Sequence, residues 1–171
     1  MPVTPPGGPA PRPSGRAGRV LRSLLAASLP WWPAARLAAA DVQAVSYLDG
    51  RRTPLPAAQV QASGLVALCE AQLTGADGVL RLGVSSQSID ALRRDGPVLE
   101  ITYPAPQQFR LVVGGREISA SRLLIPLAGD LAGGVTTIFF GNPDYQSGPL
   151  RNAKGTAEIA GLVKSMAPAG R

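Results

Sequence analysis

The run FFGNPDYQSGPLRNAKG, residues 139–155, is the densest mixture of turn-forming and chemically capable side chains in the sequence. It holds Asn142, Asp144, Tyr145, Ser147, Arg151, Asn152 and Lys154. Turn chemistry accounts for much of it. Asn142-Pro143-Asp144 is a turn initiator, Gly141 and Gly148 permit positive φ, and Pro149 stiffens the exit. Asn152 can cap a following helix. Tyr145, Arg151 and Lys154 are left over. Two cations and a phenol ahead of a helix N-terminus can hold an anionic group. The expected ligand-binding set is therefore Asn142, Asp144, Tyr145, Arg151 and Lys154. The competing reading is an ordered connection whose Tyr145 packs on a sheet edge.

The composition excludes several chemistries. There is no histidine and a single cysteine, Cys69. Neither a Ser-His-Asp nor a Cys-His apparatus can be assembled, nor an intrachain disulfide, nor the usual zinc site. G-x-S-x-G is absent; GVSSQ at 83–87 lacks the final glycine. GPLRNAKGT approaches a phosphate loop, but Ala153 replaces the second glycine that the backbone needs to curl around a phosphate. No D-x-D-x-D-G calcium loop occurs. No cofactor or metal is expected. Carboxylate chemistry stays open, since two acids at about 5–10 Å can hydrolyse a glycoside. Asp130 and Asp144, however, flank one expected strand from opposite ends.

The formal net charge of +6 is unevenly placed. Arg12, Arg16, Arg19, Arg22 and Arg36 all precede residue 37, and no acid does, so the body is nearly neutral. Nucleic-acid binding needs clustered cations on the body and is not expected. Residues 1–18 are rich in Pro and Gly. From Ser23 to Ala35 the chain is uncharged, too short for the roughly 20 apolar residues of a spanning helix. A basic region, a short apolar stretch and small residues at Ala38 and Ala40 fit a secretory signal cut before Asp41. Two other readings are a retained anchor with Trp31 and Trp32 at the headgroup level, giving membrane contact, and a cytosolic tail. Residues 1–40 are thus read as a leader, signal peptide or membrane anchor, and 41–168 as one domain.

The body must position the 141–154 loop. DVQAVSYLDG reads as a strand ending in an Asp49-Gly50 turn, followed by RRTPLP as an extended link. Ala62, Leu65, Val66, Cys69 and Leu73 mark a helix over 57–73, weakened at Gly64 by about 1 kcal/mol relative to Ala. Cys69 lies on its apolar stripe and reads as a buried small hydrophobe. VLRLGV (79–84) suggests a strand. SSQSIDALRRDGP carries a serine cap and terminal Arg93 and Arg94, whose charges complement the helix dipole without a ligand. VLEITY and QFRLVV alternate as two strands joined by a PAPQ hairpin, with Glu100 and Arg110 paired on outward faces. Gly114-Gly115 predicts a tight turn. In REISASRLLIPL the alternation slips at Leu123–Leu124, which implies a bulge or burial on both faces. VTTIFF is the fourth strand of the run. Ile159, Leu162, Val163 and Met166 form a helical stripe.

These elements predict an α+β fold: an antiparallel sheet of four to six strands, a meander over 98–140, with two or three helices on one face. With 45% hydrophobic residues the body can build a core. The functional expectation is an exported (periplasmic or extracellular) or membrane-anchored, non-catalytic envelope module. It binds an envelope protein or a small anionic ligand through the 141–154 loop. The alternative is a histidine-free envelope hydrolase using carboxylates, with Tyr145, Arg151 and Lys154 positioning an anionic substrate.

Overall fold

The computed structural model describes residues 42–145 and 148–167. The leader, with Trp31 and Trp32, lies outside the described residues, as do Gln146 and Ser147 within the loop.

The expected Asp49-Gly50 turn forms, with φ of 49° and 72°. These are the left-handed values that a two-residue hairpin turn requires. It joins β1 (Gln43–Leu48) to β2 (Arg51–Pro54), so RRTP is a paired edge strand instead of a link. The helix expected over 57–73 is two, α1 (Ala57–Ser63) and α2 (Leu65–Thr74). Gly64 between them adopts φ 69°, where no helix continues. Of 79–84, pairing is confined to β3 (Gly78–Val79); Leu82 and Gly83 beyond it are exposed. The serine cap is real: α3 (Ser86–Asp95) begins with a reciprocal capping box between Ser85 and Ser88.

The two strands expected around PAPQ are one, β4 (Val98–Arg110). Its partner is β5 (Glu117–Pro126), reached through a 3-10 turn at Val113–Gly115 in which both glycines have positive φ. Thr102 pairs with Arg122 but Gln107 with Ala120. The extra residues bulge out where Pro104 and Pro106 offer no amide to a ladder. Arg110 consequently faces Glu117 across the ribbon, and Glu100 is on the same strand as Arg110, so the expected pair between them does not exist. β6 (Thr136–Gly141), β7 (Leu150–Asn152) and α4 (Ala157–Met166) complete the order.

All strands join one open antiparallel sheet of seven, ordered β2-β1-β4-β5-β6-β7-β3, with four α-helices. The class is α+β and the sheet exceeds the expected four to six strands. The helices also lie on both faces. Leu99, Ile101, Leu123 and Ile125 join Leu65, Leu73, Ile159 and Val163 in the main core under α1, α2 and α4. The opposite parity, Val98, Leu124 and Phe139, packs with Ile89 and Leu92 of α3 and with Tyr145. The slip at Leu123–Leu124 is thus burial on both faces: both side chains are fully enclosed, in different clusters.

Candidate functional site

Strand parity puts Glu100 on the α3 face, between Val45 and Leu124 in register. Its residue surface is only 6% exposed. A carboxylate without partners would be costly there. Three donors reach it. Arg93 Nη2 donates to Oε1 at 2.7 Å, the Tyr145 hydroxyl to Oε1 at 2.8 Å, and the Tyr47 hydroxyl to Oε2 at 2.9 Å. The Arg93 guanidinium also lies against both phenol rings, 5.7 Å from the Tyr47 centroid and 5.8 Å from that of Tyr145. Its Nη1 bonds Asp90 at 3.0 Å.

Burial pushes the Glu100 carboxyl upward, but the hydrogen bonds from Arg93 and the two tyrosines outweigh it and hold the group below its ordinary value. Glu100 is therefore ionised at neutral pH. Burial and the adjacent carboxylate push both phenols up, so they stay protonated and keep donating. The expectation of an outward Glu100, and of an Arg93 that merely answers a helix dipole, gives way to a buried ion pair that ties α3 to the sheet.

Tyr145 arrives there because the chain doubles back immediately after β6. The Asn142-Pro143 peptide is cis. A Cβ on Gly141 would collide with the Asp144 carbonyl, so glycine is required by close approach and not by φ. Gly148 likewise has no positive φ; a Cβ there would press on the Leu80 carbonyl at 3.2 Å.

Beside this cluster opens a polar pocket of about 400 Å³. Its walls are residues 84–86, Ile89, Asp90 and Arg93 of α3, Arg122 of β5, and residues 143–145. Arg122 lies on the Glu100 face of the sheet and stands in register opposite Gly141, against which the Asp144 backbone is packed. Among the described residues, Arg122 and Asp144 take part in no ion pair. A second pocket of about 540 Å³ flanks α3 on its other side, with Leu82, Leu92, Leu131 and Phe139 giving it an apolar lining.

Of the five expected site residues, the polar pocket gathers Asp144 and Tyr145. Asn142 is exposed at the turn outside its lining. Arg151 sits on β7 and pairs with Asp77 at 3.3 Å, while Lys154 is exposed after β7 with its carbonyl accepting from Thr136 Oγ1 at 2.6 Å. Asn152 is no helix cap: it is buried, donates to the Gln72 carbonyl at 2.8 Å, and leaves Thr156 to open α4. Tyr145 is buried over a sheet face instead of lying at an edge. Glu100, Arg93 and Arg122 were not expected. The signal for them was the double burial at Leu123–Leu124, because a second layer over the sheet must also cover Glu100.

Cys69 is fully enclosed, and burial pushes its thiol up to about 12, as suits a packing residue. Among the described residues no group of three or more Cys, Asp or Glu converges as a metal ion would need, and no helix is long and apolar enough to cross a membrane. No protein-family model matches the sequence, and no curated protein or solved structure matches it either.

Proposed function

We propose that residues 42–167 form a non-catalytic binding module that takes a small anionic group into the polar pocket beside the 141–154 loop. The protein is exported or anchored at the cell envelope. The observation that supports the first part is Arg122, a half-buried guanidinium without an acidic partner among the described residues, in a concave site of ligand-sized volume. Guanidinium is the side chain best shaped for a planar or tetrahedral anion. The loop's first half contributes Asp144 and Tyr145; Arg151 is paired with Asp77, and Lys154 is exposed outside the pocket's lining. The hydrolase alternative asks for an acid that keeps its proton near neutrality. Glu100 is displaced the opposite way, and its oxygens are occupied by Arg93 and the two tyrosines.

Acetate titration followed by amide chemical shifts tests the site. The expected changes concentrate at residues 84–93, 122 and 143–145 and vanish in Arg122→Gln. Shifts scattered over the surface and unchanged in the variant would refute it. Envelope location is inferred from residues 1–40 alone. It predicts a mature N-terminus near Asp41, or, for a retained anchor, protein that stays with membranes through carbonate extraction. An intact Met1 in the soluble cytosolic fraction would contradict both.

A further inference from the structure

We infer that the ligand of the polar pocket is zwitterionic, of the free α-amino-acid class, with its carboxylate on Arg122 and its ammonium on Asp144. This rests on the anion-binding reading above and narrows it.

The charge inventory of the pocket carries the inference. Two guanidiniums, Arg93 and Arg122, and two carboxylates, Asp90 and Asp144, line it. Arg93 is already committed, to Glu100 at 2.7 Å and to Asp90 at 3.0 Å. Setting aside that cluster of one guanidinium and two carboxylates leaves one cation, Arg122, and one carboxylate, Asp144, neither in an ion pair among the described residues. A simple anion would satisfy Arg122 while meeting Asp144 as a like charge, and a doubly charged phosphate would meet it more strongly. A ligand carrying both signs answers both groups.

The neutral donors point the same way. The Tyr145 hydroxyl is spent on Glu100, so its proton is not available to the ligand. The Ser85 hydroxyl is held in the capping box with Ser88. Ser86 also lines the pocket, and its hydroxyl has no hydrogen-bond partner among the described residues, so one neutral hydroxyl stands beside the charged groups that carry most of the recognition. A pocket of about 400 Å³ admits a small amino acid with room for its side chain.

The test compares glycine, N-acetylglycine and glycinamide by calorimetric titration of the purified protein at low salt. N-acetylglycine keeps the carboxylate and loses the ammonium; glycinamide does the reverse. The expected result is glycine binding about three- to fivefold tighter than N-acetylglycine, the weight of one solvent-accessible ion pair. Asp144→Asn should bring the two to equality, by weakening glycine and by relieving the repulsion that N-acetylglycine meets. Arg122→Gln should weaken both. Asp130→Asn, an exposed acid on the other pocket, should leave the ratio unchanged. Equal affinities in the wild type, or a preference that survives Asp144→Asn, would overturn the zwitterion inference while leaving the anion reading intact. Absence of binding by N-acetylglycine as well as glycine would overturn the anion reading and the inference with it.

Discussion

At the scale of single residues, Glu100 sets the behaviour of the site. Its carboxyl is held below the ordinary value of 4.5, so its contribution to stability is fully present above that value. The contribution declines as the pH falls through 4.5 and is lost below the depressed folded value. Acid titration of unfolding free energy should therefore show a fall in this window that Glu100→Gln flattens. At neutral pH the same substitution leaves Arg93 facing no carboxylate on the sheet side and should cost about 3 kcal/mol in urea denaturation. Tyr145→Phe removes one hydrogen bond to a charged acceptor and should cost about 1.5–3 kcal/mol. If Tyr145→Phe is neutral, the phenol does not anchor the loop. The type of each of these residues was visible in the sequence, but their meeting was not. Glu100 and Tyr145 are 45 residues apart and come together only because β6 returns the chain to the α3 face.

At the scale of elements, local chemistry was legible wherever it acts within a few residues. The Asp49-Gly50 turn, the Ser85 cap, the Gly114-Gly115 turn and the α4 stripe each follow from neighbouring side chains. The misreadings came where tertiary pairing overrode a local signal. PAPQ looks like a hairpin because prolines break ladders, yet β5 is long enough to resume pairing beyond a bulge. Gly64 has the sharpest consequence. In a continuous helix Gly64→Ala would stabilise by about 1 kcal/mol. At φ 69° the same change should destabilise by about 1–2 kcal/mol, so the sign alone distinguishes one helix from two. Gly141→Ala should cost about 1–3 kcal/mol or displace residues 142–145, seen as lost chemical-shift perturbation by acetate.

At the scale of the whole molecule, the fold class was readable from the order of strand-like and helix-like segments, while the two-sided covering of the sheet was not. A half-buried sheet and a sandwiched one differ by the parity of a few residues: Val98, Glu100, Leu124 and Phe139. The charged member of that set disguised the pattern as an amphipathic strand. Once α3 covers this face, the polar pocket follows, lined by α3, residues 143–145 and Arg122. Of the five candidate ligand residues on the loop, Asp144 and Tyr145 line the pocket and the others do not, because the loop divides between a pocket wall and strand β7. The central claim is that Arg122 makes this pocket an anion site. Its most direct measurement is the dissociation constant of N-acetylglycine for the wild type and Arg122→Gln at low salt. Saturable binding that weakens about tenfold or more in the variant is predicted; equal affinities in the two proteins, or no binding to the wild type, would contradict the account.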